Sequence, residues 1–459
     1  MNLAVTRAAR PGYGKRIGAR GVDQGKECSR IVVLPELHER GTDCRDGVNR
    51  HLVMNNKGRV PATGSVPCCF AFRAEDKYIN ARQRGRGIVM NTHVMSSTLV
   101  AIVGATLALA SASATAAKPA GPAALPVVSV YYSGLNNPRG LKFGPDGNLY
   151  VAEGGVGGAD PAPVAPACVV IPPIGPYTGS ATGSRISRID SNGVRTTVVG
   201  NLPSNQTSDD SGNLVSGVAD VAFIGNTLYA VLGGAGCSHG VPSIPNGVIR
   251  VNPNGSWTMI ADLSAFQRAN PVQQPEEDDF EPDGTWYSMI AVRGDLYAVE
   301  PNHGEIVRVT TGGKINRVID VSASQGHVVP TVIAYHGNFY VGNLGVFPQN
   351  TGSSNVWKIT PSGQIKLDTG GFNMVLGLAF DHRNRMYVLE ASAAPAPAPG
   401  TGRIVRVSSN GKSRDVIAEG LFLPTGMTFG PDGNLYVSNV GFGPPPVGLG
   451  EVLKIELAD

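Results

Sequence analysis

The stretch GPDGNLYVAEGG at residues 144–155 returns near the other end of the chain as GPDGNLYVSNVG at residues 430–441. Four weaker copies of the same pattern lie between them, and each copy contains a tyrosine in an LYV-like core. These anchors are Tyr150, Tyr229, Tyr297, Tyr340, Tyr387 and Tyr436. The last four anchors, at positions 297, 340, 387 and 436, are 43, 47 and 49 residues apart. Self-similarity at such a period is typical of repeat architectures.

Each copy has the same four parts. A short apolar run is followed by a tight turn of Gly, Asn and Asp, and then by the LYV-like run. After a loop of variable length comes a third run, such as RISRI at residues 185–189, and a second tight turn leads into a fourth run. Short runs of β-branched and aromatic residues between such turns predict strands. Four strands in just over 40 residues describe a propeller blade, so six copies predict an all-β, six-bladed β-propeller.

The sixth copy contains only three of the four strands. An additional strand-like run, PVVSVYYSGL at residues 126–135, precedes the first copy. The simplest arrangement is that this run completes the last blade and closes the ring. The alternative is an open stack of hairpins, whose end blades would expose unpaired strand edges.

The first 89 residues differ from the rest of the chain. They contain 17 Lys and Arg against 8 Asp and Glu, a net charge of 17 − 8 = +9, and they contain no repeat. A basic arm that binds nucleic acid is one interpretation. A zinc module is another, although the four cysteines of this region lack paired C-x-x-C spacing. The third is that residues 1–89 are a mis-assigned or disordered extension that is absent from the mature protein.

Residues 90–117 have the pattern of a secretory signal peptide. An apolar core at residues 99–110 is followed by small residues with Ala-x-Ala spacing. The core is too short for a spanning helix, so we expect no stable membrane insertion after cleavage. This pattern predicts a secreted or periplasmic protein that begins at Met90 or Met95. The alternative is an internal membrane anchor preceded by a basic cytoplasmic arm.

Residues 118–125 form an Ala/Pro/Gly linker, and the propeller is predicted at residues 126–459. Residues 118–459 contain 21 Lys and Arg and 27 Asp and Glu, a net charge of 21 − 27 = −6. Such a mildly acidic body has no electrostatic basis for binding nucleic acid. Cys168 and Cys237 lie in the variable loops of the first two copies. In an exported protein they predict a disulfide, the alternative being two buried free thiols.

The long connections all fall on one face of the predicted ring, and the tight turns fall on the other. Long loops on a rigid scaffold commonly carry function. The third residue after each anchor leads to this long-loop face, and in five of the six copies it is a carboxylate or an amide. These five residues are Glu153, Glu300, Asn343, Glu390 and Asn439. Oxygen ligands of this kind suit Ca²⁺, so the pattern predicts a metal site at the channel mouth. The alternative is that these side chains cap strand ends and bond loop amides.

Three further residues are candidates for the channel or for a ligand site. Asp220 is the one ionisable residue inside an otherwise apolar first strand, whereas His239 and His303 lie in loops on the long-loop face. Either histidine has the chemistry of a general base, although exposed loop histidines are common. The acidic run PEEDDFEPDG at residues 275–284 is interpreted as a solvated loop. The chain contains no GxSxG elbow, no HExxH motif and no phosphate-binding loop.

Four motifs together resemble the ScyD/ScyE family of exported six-bladed propellers, which is associated in cyanobacteria with the scytonemin pathway. The motifs are NPRGLKFGPDGNLYVAEGG (137–155), GCSHG (236–240), WYSMIAV (286–292) after the acidic loop, and LPTGMTFGPDGNLYVSNVGFG (423–443). The resemblance implies a fold and export, because this family has no established general activity.

The chain is more distantly similar to NHL-repeat and gluconolactonase-type propellers, a group that includes metal-dependent lactonases. The metal ligands of those lactonases come largely from first-strand entrances. The matching positions here contain no carboxylate; they are Arg139, Ala219, Ser288, Thr331, Leu376 and Thr425. Our leading hypothesis is therefore a binding or scaffold protein that takes a small molecule, a glycan or a protein on its long-loop face. The alternative is a metal-dependent hydrolase, similar to a lactonase or an esterase, that uses a divalent cation in the channel.

Overall fold

The structure is a computed structural model that describes residues 126–275, 277, 280–394, 397–441, 443 and 448–457. The predictions for residues 1–89, 90–117 and 118–125 lie outside the described residues. In the described part of the chain, the longest helix is the seven-residue Leu263–Ala269, and no helix has the length and apolar character needed to cross a bilayer.

Six antiparallel sheets follow one another along the chain, and each forms one blade, so the predicted six-bladed β-propeller is confirmed. Blade 1 contains Pro138–Phe143, Leu149–Glu153, Thr178–Ile189 and Arg195–Gln206. Blade 2 contains Val218–Ile224, Thr227–Leu232, Gly247–Val251 and Trp257–Asp262. Blade 3 contains Ser288–Val292, Asp295–Glu300, Glu305–Thr310 and Ile315–Asp320. Blade 4 contains Pro330–His336, Asn338–Asn343, Ser354–Ile359 and Ile365–Phe372. Blade 5 contains Val375–Phe380, Met386–Glu390, Gly402–Val407 and Arg414–Leu421.

Blade 6 is assembled from both ends of the propeller sequence. Its first three strands are Gly426–Phe429, Leu435–Asn439 and Gly450–Glu456. The fourth is Val127–Leu135, which we call the closing strand, and it pairs antiparallel with Gly450–Glu456 from Val127↔Glu456 to Leu135↔Gly450. The predicted closure of the ring is therefore confirmed.

The short elements outside the blades lie in their connections. Two short strands extend the sheet of blade 1. Asp160–Pro161 pairs with Thr178 and Gly179, so the third strand begins earlier than the sequence predicted. Val215–Ser216 pairs with the end of the fourth strand. The other helical segments are Pro166–Cys168, Asp209–Ser211, Cys237–His239 and Ser322–Gln325.

In the described part of the chain, an apolar cluster lies between each pair of neighbouring blades, and these six clusters form most of the core. Successive side chains of a strand point to opposite faces of the sheet, so both faces of a blade can be buried. In blade 2, Tyr229 and Val231 pack in the cluster shared with blade 3. Leu228 and Ala230, which alternate with them, pack in the cluster shared with blade 1. The apolar LYV-like runs are therefore explained by burial on both sides.

The repeated GPDGN turn is stabilised by its aspartate. Asp146 accepts hydrogen bonds from the amide of Asn148 at 2.7 Å and from the hydroxyl of Tyr150 at 3.1 Å. Gly147 follows it with φ 76°, a conformation that favours glycine. Asp432 makes the same contacts in the second copy, at 3.0 Å from both Asn434 and Tyr436. The motif is therefore a hairpin turn whose side chains hold the following strand.

We expect the closing strand to be essential for folding. Deletion through Leu135 leaves blade 6 with three strands and removes the partner of Gly450–Glu456. It also exposes the cluster between blades 6 and 1, to which Leu135 contributes. Thermal melting and light scattering should show loss of the cooperative transition and aggregation, because an unpaired strand edge templates association. Deletion through residue 125 is the matched control and should leave the melting temperature unchanged. Equal melting of both deletions would contradict the role given to the closing strand.

Candidate functional site

The five polar residues at the ends of the second strands make contacts within their own blades. In blade 1, Glu153 is fully buried and accepts two hydrogen bonds from Arg185, each 2.8 Å long, together with one from the hydroxyl of Ser187. It also accepts a 2.7 Å hydrogen bond from the backbone N–H of Asn136, which precedes the first strand. Glu153 therefore ties its own strand to the third strand of blade 1 and to the segment that enters the blade.

The glutamates of blades 3 and 5 have comparable partners, and both are fully buried. Glu390 forms an ion pair with Arg403 and accepts a 2.6 Å hydrogen bond from the N–H of Asn373. The residue opposite Glu300 on the neighbouring strand is Glu305 and not an arginine. It accepts instead from three backbone N–H groups, those of Thr285 at 2.6 Å, Asn302 at 3.1 Å and His303 at 2.5 Å.

The two asparagines have the same position and a related role. The side-chain oxygen of Asn439 accepts a 2.8 Å hydrogen bond from the N–H of Phe422. Asn343 donates to the carbonyl of Val328 at 2.7 Å and accepts from the N–H of Asn355 at 2.6 Å. In every case the side chain bonds backbone groups at the entrance to its blade.

These contacts are those of the structural alternative, in which the side chains cap strand ends and bond loop amides. The carboxylate oxygens face arginines and N–H donors, which is the opposite of the environment that a cation requires. Among the described residues, no group of three or more His, Cys, Asp and Glu side chains is placed to hold a metal ion. The residues present do not fit Ca²⁺ at this ring, so we derive no metal-dependent step, and the calcium site stays a prediction.

Replacement of Glu153 by Gln tests the role of this ring. The change removes the carboxylate that pairs with Arg185, whose side chain is mostly buried. The free energy of unfolding should therefore fall by about 3 kcal/mol. Denaturant melts should give the same loss in Ca²⁺ and in chelator. Glu456→Gln removes an exposed carboxylate that lies 3.7 Å from Lys454, and it should cost less than about 0.5 kcal/mol. A loss at Glu153 that appears only in Ca²⁺ would instead establish the metal site.

Asp220 lies among the first strands at the centre of the ring. The first strands surround a cavity of about 30 Å³, lined among others by Asp220, Lys142 and Ser288. The carboxylate accepts from the N–H of Met289 at 2.8 Å and from the hydroxyl of Ser288 at 3.1 Å, so it joins blade 2 to blade 3. Burial raises the pKa of Asp220 to about 6, although the charge of Lys142 and these hydrogen bonds oppose the shift. The cavity has room for a water molecule and not for a substrate.

Tyr287 crosses the channel at its long-loop end. It leaves blade 3 and donates a 3.1 Å hydrogen bond to the carbonyl of Thr425 at the start of blade 6. Its ring packs against the small cluster that contains Leu376 of blade 5. The guanidinium of Arg139, from blade 1, lies 5.8 Å from the centre of the ring. Tyr287 therefore contacts three other blades and narrows the channel mouth.

The longest loops of blades 1 and 2 are covalently joined. Cys168 and Cys237 form the predicted disulfide, with Cα atoms 5.2 Å apart, across 69 residues of sequence. The Pro-rich insertion of blade 1 is thereby fixed to the GCSHG loop of blade 2. The prediction of a disulfide between neighbouring loops is confirmed.

His239 is the centre of a buried polar network beside this disulfide. Its Nδ1 lies 2.6 Å from the carbonyl oxygen of Ala235, and its Nε2 lies 2.9 Å from a carboxylate oxygen of Glu281. The hydroxyl of Tyr177, from the insertion of blade 1, donates to the other oxygen of Glu281 at 2.7 Å. Tyr177 and His239 also meet edge to face, with ring centroids 4.8 Å apart.

Asp283 holds the same loops together through a second set of contacts. It accepts from the N–H and the hydroxyl of Ser238 at 2.8 and 2.9 Å. It also forms a 2.6 Å ion pair with Arg268 of the helix Leu263–Ala269. We name Tyr177, Ser238, His239, Glu281 and Asp283 the loop cluster. It joins the insertion of blade 1, the loop of blade 2 and the connection between blades 2 and 3.

His303 extends these contacts to blade 3. Its Nε2 lies 3.0 Å from the backbone oxygen of Glu281, and its ring lies 4.8 Å from that of Phe280. His239 and His303 are 1% and 4% exposed, so the structure brings both beside the acidic loop and buries both. They are not exposed loop histidines.

The interpretation of the acidic run as a solvated loop was wrong for Glu281 and Asp283, which are 5% and 2% exposed. Their burial is possible because histidine, tyrosine, serine and arginine side chains from distant parts of the chain pair with the two carboxylates. Sequence reasoning missed these two residues and Tyr177. The sequence feature that could have revealed them was the combination of an acidic run, a GCSHG loop and a predicted disulfide on the same face of the ring.

The loop cluster predicts a pH dependence of stability. Burial lowers the pKa of His239, but the hydrogen bond and charge of Glu281, the Ala235 carbonyl and the charge of Asp283 outweigh it and raise the pKa above its ordinary value. The raised pKa means that the folded state holds this proton more tightly than the unfolded chain. The resulting stabilisation is fully present below about pH 6.5 and is lost as the pH rises through the folded-state pKa.

Denaturant melts from pH 6 to pH 9 should therefore show a fall in the free energy of unfolding that is reduced in His239→Gln. The control is His336→Gln, which changes an exposed histidine in blade 4 and should keep the wild-type slope. A slope that is unchanged in His239→Gln would contradict the assignment.

Comparison with known proteins finds solved structures that are similar in fold, and it identifies no family for this chain. No protein-family model matches the chain, and no curated protein matches it. A putative glucose dehydrogenase from Thermus thermophilus is 18% identical, with 72% of this chain and 99% of that chain covered and a TM-score of 0.48. A gluconolactonase from Xanthomonas campestris is 11% identical, with 74% and 99% covered and a TM-score of 0.44. The PQQ-bound aldose sugar dehydrogenase from Streptomyces coelicolor is 14% identical, with 73% and 99% covered and a TM-score of 0.41.

These similarities are too low to carry an argument about activity. The solved structures include gluconolactonases and dehydrogenases, which differ in chemistry, so they do not select one function for this chain. The resemblance to the ScyD/ScyE family is not confirmed by them.

Proposed function

We propose that this protein is an exported binding protein that holds a protein partner on the long-loop face above blades 1, 2 and 3. The observation that carries this proposal is the cross-linking of the long loops there. The disulfide between Cys168 and Cys237 and the contacts of Glu281 with Tyr177 and His239 join segments from three blades. Loops that are held in one conformation before binding lose less conformational entropy on binding.

Several exposed side chains on these fixed loops are apolar. Val169 and Ile171 follow the disulfide in the insertion and are 45% and 49% exposed, and Phe280 precedes Glu281. Apolar side chains that are exposed on an ordered surface are typical of interaction sites, with aromatic residues enriched at protein interfaces. These properties favour a protein partner over a small molecule or a glycan.

The disulfide also supports the exported location. Structural disulfides persist in oxidising compartments and are rare in the cytosol of most organisms. The signal-peptide pattern at residues 90–117 is consistent with the same conclusion. We therefore propose that the protein acts outside the cytoplasm, in the periplasm or the medium.

Site-specific photo-crosslinking tests the binding face. A photoreactive phenylalanine analogue at Ile171 or at Phe280 should give a discrete adduct when the protein is exposed to the extracytoplasmic fraction of the producing cells. The same analogue at Val194 is the matched control, because Val194 is 55% exposed and lies in a tight turn of blade 1 on the opposite face. The adduct from Ile171 should decrease in the double variant Cys168→Ser/Cys237→Ser, whose insertion is no longer fixed. Equal adducts at Val194, or none at Ile171 and Phe280, would refute the proposal.

A hydrolase that acts through the channel is the second candidate, and Asp220 is the observation that favours it. A buried carboxyl group whose pKa is raised to about 6 has the properties of a general acid or base. The small channel cavity counts against this candidate, because a substrate would require Tyr287 to move.

A panel of aliphatic and sugar lactones separates the two functions. Turnover by the wild-type protein that is lost in Asp220→Asn, with an unchanged melting temperature, would replace the binding proposal by the enzymatic one. Absence of turnover together with the adducts at Ile171 supports the binding protein.

A further inference from the structure

A second surface of the molecule has the features of a ligand site. A groove of about 590 Å³ lies between blades 1 and 2 on the side of the tight turns, away from the loop cluster. Tyr150, Phe223 and Val198 form its apolar wall, and Asn226 and Arg250 are among its polar residues. The volume lies within the range of sites for small molecules.

Arg250 belongs to a position that is basic in all six blades. The residue lies in the third strand, opposite the anchor tyrosine of the second strand in each blade. The six residues at this position are Arg188, Arg250, Arg308, Lys358, Arg406 and Lys454. A basic side chain at this position lies next to the tight turns and to the outer strand of its own blade.

Five of these six cations have a partner in their own blade. The ion pairs are Arg188–Asp146 at 3.0 Å, Arg308–Asp295 at 2.6 Å, Arg406–Asp415 at 2.9 Å and Lys454–Asp432 at 3.0 Å. Lys358 has no carboxylate partner among the described residues, but its ammonium group lies 5.6 Å from the ring centre of Tyr340. The usual arrangement of the repeat is therefore a neutralised cation.

Arg250 is the exception. Within the part of the chain that the structure describes, it makes no ion pair and no side-chain hydrogen bond. The acid of blade 3, Asp295, lies two residues before the anchor tyrosine, and the matching residue of blade 2 is Thr227. The acid of blade 5, Asp415, pairs across the outer strand with the basic residue, and the matching residue of blade 2 is Thr258. Both of these positions are therefore threonines here, and at the position of the turn aspartates Asp146 and Asp432, four residues before the anchor tyrosine, blade 2 has Gly225.

The groove and the unpaired cation occur at the same place. Phe223 and Tyr150 meet there edge to face, with ring centroids 4.9 Å apart, and both are partly exposed. Asn226 is exposed and makes no side-chain hydrogen bond to other described residues, so its amide is available to a ligand. The groove thus combines an apolar wall, a free amide and a cation without a counter-ion.

We propose that this groove binds a small organic acid, in which a carboxylate is attached to a ring. The guanidinium of Arg250 presents a planar fork of N–H donors that matches a carboxylate. The ring of the ligand packs against Phe223 and Tyr150, and the amide of Asn226 donates to an oxygen of the ligand. The ligand anion takes the role of the aspartate that neutralises the corresponding cation in blades 1, 3, 5 and 6. This site is independent of the binding function proposed for the long-loop face.

Ligand-observed NMR titration of the purified full chain with benzoate tests this site. Benzoate should bind saturably with a Kd of roughly 1 mM, as expected for one charged contact and one small ring. Benzamide, which has the same ring without the charge, should show no saturable binding. Phenyl phosphate tests which anionic group the site prefers, because it keeps the ring and replaces the carboxylate by a larger group.

Three variants assign the binding to Arg250. Arg250→Gln should weaken benzoate binding at least tenfold. Thr227→Asp introduces the carboxylate that blade 3 has at this position, and it should weaken binding by a similar factor because it neutralises Arg250 from within the blade. Thr227→Asn is the matched uncharged control and should leave the Kd within twofold of wild type. Thermal melts confirm that each variant is folded, and Thr227→Asp keeps the test valid if Arg250→Gln is unstable.

Several results would overturn the proposal. They are the absence of saturable benzoate binding to the wild-type protein, equal binding of benzamide and benzoate, and unchanged binding in Thr227→Asp. Binding of phenyl phosphate without benzoate would overturn the assignment of the ligand as a carboxylate. The crosslinking result at Ile171 does not depend on any of these outcomes, so the two proposals fail separately.

Discussion

The need to bury both faces of every sheet governs this structure. Each blade is apolar on its two faces, and alternate residues of one strand, such as Leu228 and Tyr229, enter different clusters. A sheet of this kind is stable only between two neighbours, because exposed apolar surface costs about 25 cal/mol per Å². The ring must therefore close, and the closing strand Val127–Leu135 joins the two ends of the propeller sequence within blade 6.

Burial of the blades also determines what the polar residues do. The second strands end at the long-loop face beside backbone N–H groups of the entering chain, and a buried N–H group without an acceptor is costly. Glu153, Glu300 and Glu390 supply acceptors at that point and are themselves fully buried. A repeated polar residue is thus explained by a repeated structural need, and repetition alone does not indicate a shared metal site.

The two proposed sites arise where individual blades depart from the repeat. Above blades 1 to 3, the insertions are long enough to reach one another, and the disulfide and the contacts of Glu281 hold them together. At the groove between blades 1 and 2, Thr227 and Thr258 occupy the positions whose aspartates neutralise the third-strand cation in blades 3 and 5. A repeat protein provides its own internal control, because the same position can be compared in six environments.

The sequence by itself determined the repeat, the number of blades, the closing strand and the two cysteines that pair, since alternation, turn residues and period are local properties of the chain. It placed Asp220, His239 and His303 on the correct elements, but it did not reveal their environments. Only the tertiary structure showed that Glu153 faces Arg185 and that His239 faces Glu281, 42 residues away. The physical reason is that burial and hydrogen-bond partners depend on which loops meet on the face of a closed ring, and no local pattern in the sequence encodes that meeting.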